Sequence, residues 1–248
     1  MKFLFRGVAA LSVLGSVLVG SMAVNVQRAL ALDTAVVVEQ LSTVPVFILV
    51  DETGNPLLAS DENQETPLVF MERQGAEAFI AAAEEEGNSE FSDNAQIAVI
   101  WLGDLYSQTT DEIQNRENGT ADRELSLDFV YIPSFSQQRI AVEFDENFEG
   151  VPLFVVRFND DQTLLTVNVS NEEEAIIPMF FQLQDMQPLL DRLESQGLAD
   201  QVSVTLLSLE AVLDTLEETS DTSYAQIRFF PSSEVVTDIF GDGENLSE

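Results

Sequence analysis

Two stretches of the chain are apolar at nearly every position: VPVFILV at 44–50 and, 107 residues later, VPLFVVR at 151–157. A Pro directly ahead of an aromatic-aliphatic run suits the start of a strand, where a missing N–H costs least. Runs without polar alternation predict strands covered on both faces. The elements that follow each run echo one another in order. Pro67-Leu68-Val69-Phe70 returns as Pro178-Met179-Phe180-Phe181. Helical spacing follows: Ala76, Phe79, Ile80 and Ala83 ahead of Glu84-Glu85-Glu86-Gly87, and Met186, Leu189, Leu190 and Leu193 closed by Gly197. A short strand comes next, Ile97 to Leu102 and Val202 to Leu207, then a polar-faced helix around Asp104–Gln114 and Ser208–Glu218. Each series closes on an apolar run ending in Pro-Ser, at Pro133-Ser134 and Pro231-Ser232. The polar segment 108–125 is extra in the first series and predicts a loop or frayed helix.

The pattern therefore predicts an α+β fold built by tandem duplication of a sheet-plus-helices unit with pseudo-two-fold symmetry. Its repeats would span 32–149 and 150–240, with a disordered acidic tail at 241–248. Pro45, Phe47, Pro133, Pro152, Phe154 and Pro231 define the repeat. A single unit has a short sheet and one main helix, so its twin would bury surface otherwise left wet.

The first 31 residues read differently. Lys2 and Arg6 precede an apolar stretch from Val8 to Val24, and Ala29-Leu30-Ala31 offers the small-x-small pattern of a cleaved export signal. No later segment is long and apolar enough to cross a bilayer. The expectation is an exported, soluble protein, peripheral to membranes at most.

Charge narrows the partners. Among 248 residues there are 44 acids and 10 basic groups, a net charge of −34. Lys2, Arg6 and Arg28 all precede the first acid, Asp33, so the body of the chain is more acidic still. Nucleic acid and anionic lipid surfaces would be repelled. Solubility in salt accounts for such a surface without any substrate.

Chemistry is restricted by what is missing. The chain has neither Cys nor His, which removes disulfides, thiol and Ser-His-Asp nucleophiles and the usual zinc sites. No GxGxxG or phosphate loop is present. No cofactor or metal is expected: the acidic turns Asp51-Glu52-Thr53-Gly54-Asn55 and Asn159-Asp160-Asp161-Gln162 lack EF-hand spacing and read as solvated hairpin turns. Phe47-Ile48-Leu49-Val50-Asp51-Glu52-Thr53-Gly54 carries a Glu inside what would be an aspartic-protease turn, and the second series has no counterpart. Apolar surface remains. Phe70, Phe79, Trp101, Phe180, Phe181 and Met186 fall at strand-to-helix junctions. They are either ordinary core or the lining of two equivalent grooves for apolar client segments.

The order of LDTAVVVEQLSTVPVFILVDETGNPLLAS, PLVFMERQGAEAFI, LDFVYIPS, GVPLFVV and AIIPMFFQLQDMQPLLDRL resembles the twenty-two-kilodalton subunit of the chloroplast inner-envelope translocon, in its cyanobacterial form. The similarity runs through residues 32–240. It implies a butterfly-shaped α+β protein with apolar pockets, resident in the periplasm or, as the second option, the thylakoid lumen. It further implies a chaperone for unfolded or translocating polypeptides, including outer-membrane precursors bound for an Omp85-type insertase. The family has no known catalytic residue, so the resemblance implies no enzyme. An architectural envelope subunit and a carboxylate-based hydrolase are the alternatives.

Overall fold

A computed structural model describes residues 32–61, 64–108, 129–169 and 175–241. The predicted export signal, nearly all of the polar segment 108–125 and tail residues 242–248 lie outside the described residues.

The first half runs α1 (Thr34–Leu41), β1 (Pro45–Val50), β2 (Leu58–Asp61), β3 (Gln64–Phe70), α2 (Arg73–Glu85), α3 (Ser89–Asn94) and β4 (Gln96–Trp101). Helix α4, described over 102–108, follows, then β5 (Val130–Ile132) and α5 (Phe135–Phe144). The second half runs β6 (Pro152–Phe158), β7 (Ile177–Phe180), α6 (Gln187–Ser195), β8 (Val202–Ser208), α7 (Leu209–Glu218), β9 (Ile227–Phe230) and α8 (Ser233–Phe240). The protein is α+β.

In the first sheet β1 lies between β3 and β4, antiparallel to both, and β5 joins β3 in parallel. The hairpin strand β2 pairs with the first part of β3. In the second sheet β6 lies between β7 and β8, antiparallel to both, and β9 joins β7 in parallel. The sheets thus share order and sense. The correspondence is not the one the letters suggest. Phe47 pairs with Phe70 and Phe154 with Phe180, so Phe70 corresponds to Phe180, while Phe181 corresponds to Met71. Likewise Pro45 faces Trp101 and Pro152 faces Ser208, which aligns Ile97 with Val204 rather than Val202. The shift of one residue in the Pro67/Pro178 echo matters because side chains alternate faces.

Alternation along the doubly covered strands explains their apolar runs. Val46, Val69, Leu153, Val155, Met179 and Phe229 point into one central cluster shared by both sheets, which also takes α1 and α7. Phe47, Leu49 and Phe70 face the opposite way, into an outer cluster of the first half. Phe154, Val156 and Phe180 do the same in the second.

The outer clusters are closed by exchanged helices. After Pro133, α5 crosses to the second sheet: Ile140 packs in its outer cluster, and the Phe144 and Phe154 rings lie 6.0 Å apart. After Pro231, α8 crosses to the first sheet: Val235 and Ile239 join Phe47, Leu49 and Phe70, and Arg73 reaches Asp238 at 2.7 Å. A division at residue 149 therefore cuts the sequence but not the packing. The residue before a Pro is held extended, so each Pro-Ser carries the chain straight out of its own sheet before a helix starts.

Candidate functional site

The crossings set the centre of the molecule. Helices α5 and α8 begin there without side-chain caps of their own, at Ser134 and Ser232. Carboxylates from elsewhere take the orphan donors. Glu72 Oε1 accepts from Phe135 N at 3.1 Å, and Asp185 accepts from Ser233 N at 2.8 Å and from Ser233 Oγ at 2.6 Å. Between the crossings lies a cleft lined by Met71, Glu72, Gln137, Phe181, Gln182 and Val235, among others. It holds ≈ 20 Å³, room for about one water molecule. It is too small for a client side chain.

The six aromatic and Met candidates do not line two equivalent grooves. Phe70 and Met186 are fully buried in the two outer clusters, and Phe180 is buried with them. Phe181 is buried in the central cluster, where its ring lies 6.1 Å from Phe229. These four are core. Phe79 is 36% exposed and bridges Phe70 and Phe91, with ring centroids at 5.8 and 6.0 Å. Trp101 is half-buried and stacks on Phe240 at 6.2 Å.

Apolar surface appears instead on the exchanged helices. Phe135 at the start of α5 is 79% exposed and Phe240 at the end of α8 is 63% exposed. Phe144 and Val142 of α5, Val236 of α8 and Val99 of β4 are also exposed. Each exchanged helix thus borders an edge strand, with Trp101 beside Phe240 at β4 and α5 against β8.

The sequence model of the Tic22-like family matches residues 8–239. The chain belongs to the Tic22-like family. Among solved structures it is similar to Anabaena Tic22, described as a protein-transport protein, at 26% identity and a TM-score of 0.68, over 84% of this chain and 96% of that one. It is also similar in fold to Tic22 from Plasmodium falciparum, at 18% identity and a TM-score of 0.61, over 82% and 95% of the two chains. A comparison with curated proteins finds no match.

The titratable groups of this Tic22-like protein mostly serve its architecture. Burial raises the Glu210 carboxyl, whose two oxygens accept from Val151 N at 3.2 and 3.0 Å. Gly150 sits against it at φ +93°, where a Cβ would fall 2.5 Å from the carboxylate. The carboxylate anchors the start of β6. The Tyr131 phenol is pushed up by burial and by the negative charges of Glu210 and Glu217. Asp51 is held down to about 2 by hydrogen bonds from Thr53 and Asn55, a turn-closing role matched by Asp161 with Thr163.

Sequence reasoning passed over Phe135, Phe144 and Phe240. The available signal was α8, SEVVTDIF, whose four apolar residues form one broad stripe of which only Val235 is fully buried. Which of them stay outside depends on the exchange, which no periodicity reports.

Proposed function

We propose that this protein is an exported chaperone that holds apolar segments of polypeptides in transit, among them outer-membrane barrel precursors passed to an Omp85-type insertase. The observation that carries the reading is aromatic surface on the exchanged helices, Phe135, Phe144 and Phe240, in a chain of net charge −34. Singly exposed apolar residues are ordinary, but aromatic rings placed beside the edge strands β4 and β8 are not demanded by the fold. The transport description of the Anabaena relative supports the same reading. The shared strand order supports a tandem duplication with two equivalent binding edges, and residues 1–31 support export to the periplasm. The activity in this reading is binding, and the raised Glu210 carboxyl, engaged with Val151 N, serves the fold.

The test is suppression of aggregation of an unfolded barrel protein by the mature chain. Phe144→Ser with Phe240→Ser weakens the suppression while circular dichroism is unchanged. Phe70 and Phe181 are unsuitable for this purpose, since their replacement opens the core. Full suppression by the surface variant, or none by the native protein, overturns the proposal.

A further inference from the structure

Strands β4 and β8, each at one edge of its sheet, have a property that their side chains alone do not show. In an antiparallel pair, residues alternate between hydrogen-bonded pairs and pairs whose N–H and C=O point outward. Leu102 N donates to Val44 O and Leu209 N donates to Val151 O, each at 2.8 Å. Asn159 N donates to Gln201 O at the far end of the β6–β8 ladder. Counting along the register from these anchors, Ile97, Val99 and Trp101 of β4 and Val204, Leu206 and Ser208 of β8 direct their main-chain groups away from the sheet. Among the described residues no strand pairs with this edge of either sheet, and only the Trp101 and Ser208 carbonyls are taken up, by the first turns of α4 and α7.

Exposed edges of this kind are normally blunted by charge, Pro or a bulge. Here QIAVIW and VSVTLLS carry neither a charge nor a Pro, in a chain with 44 acids. The same residues that present free main-chain groups face Phe47, Phe154 and Val156 across the ladder, so their side chains lie on the outer, apolar face. A strand added beside β4 would place every second side chain near Trp101 and Phe240, and one beside β8 near Phe144.

We propose that β4 and β8 take up an extended client segment as an added β-strand, with alternating apolar residues on the outer face and Lys or Arg between them. The proposal rests on the chaperone reading and names its substrate class. Charge selects the occupant. There is no basic residue from Gln74 to Asn115 or from Leu193 to Ile227, and seven acids fall in the second stretch. A second copy of the chain would bring like charge to the same edge, whereas a cationic strand is attracted to it. Main-chain pairing supplies affinity without sequence demand, and alternate side chains supply selection.

The probe is a synthetic alternating Val-Lys peptide of about ten residues, the length of one barrel strand, read by fluorescence anisotropy with the mature protein. Three comparisons decide. The same peptide N-methylated at alternate amides keeps its side chains but loses one hydrogen-bonding edge, and binds at least about tenfold more weakly, as expected for two or three lost bonds. An alternating Val-Glu peptide does not bind. Val204→Pro combined with Val99→Pro, at N–H groups pointing away from the sheet, weakens binding with circular dichroism unchanged. Equal binding of the methylated peptide overturns strand addition, and needs no folded variant. No peptide binding alongside intact aggregation suppression overturns it too, leaving the chaperone reading in place. A dimer in sedimentation that the Pro variants dissociate, with no peptide bound, assigns the edges to a second copy and likewise overturns it.

Discussion

Replacing Val235 tests the helix exchange directly. Val235 belongs to the last helix of the sequence yet is 6% exposed among Phe47, Leu49, Phe70 and Ala76 of the first half. Val235→Ala removes two buried methyl groups, about 1.6 kcal/mol at about 0.8 each, with more for any cavity left behind. The better helix propensity of Ala returns about 0.5 kcal/mol. The net loss is about 1–2 kcal/mol, or about 2–8 °C in Tm for a protein of this size. Val236→Ala is the internal control: Val236 is exposed on the same helix, so the variant is neutral or slightly stabilised. Urea and thermal unfolding followed by circular dichroism give the magnitude, and amide hydrogen exchange gives the location. Exchange quickens mainly in β1, β3 and β4, the strands that α8 covers. Equal effects of the two variants, or faster exchange confined to β6–β9, would refute the exchange.

Gly103→Ala destabilises by about 1–3 kcal/mol, read from the urea midpoint, because the new Cβ would lie 2.5 Å from Val38 O and 2.9 Å from Ser42 N of the α1 segment. Glu210→Gln alters the pH dependence of Tm. Burial raises the native carboxyl, so its favourable contribution is complete below the ordinary carboxylate range and is lost as pH rises through the raised folded value. The variant keeps an acceptor for Val151 N and lacks that loss, so it gains on the native protein from acid to neutral pH; parallel curves would contradict the assignment. With a net charge of −34, raising NaCl from about 20 mM to about 500 mM increases Tm by screening self-repulsion, and a flat response would count against charge strain in the fold.

The Pro-Ser junctions mark the limit of what could be read from letters. Pro133-Ser134 and Pro231-Ser232 are visible as full stops, and each does end a sheet. That the next helix crosses to the other sheet is invisible, because an amphipathic stripe records that one face is buried and not which surface buries it. The Phe180-Phe181 pair shows the same limit on a smaller scale. Two adjacent aromatics in a strand must face opposite ways, but only the register with Phe154 decides that Phe180 belongs to the outer cluster and Phe181 to the centre.

What the amino-acid sequence determined alone was local and compositional. Near-continuous apolar strands require cover on both sides, the lack of Cys and His removes thiol and imidazole chemistry, and 44 acids restrict the partners. The tertiary structure decided the rest: which helix closes which sheet, which aromatics are left at the surface, and which main-chain groups point outward from β4 and β8. The reason is physical. Periodicity fixes the faces of an element through backbone geometry, whereas pairing between distant segments is fixed by the packing of the whole chain, where burial energy from both halves is shared.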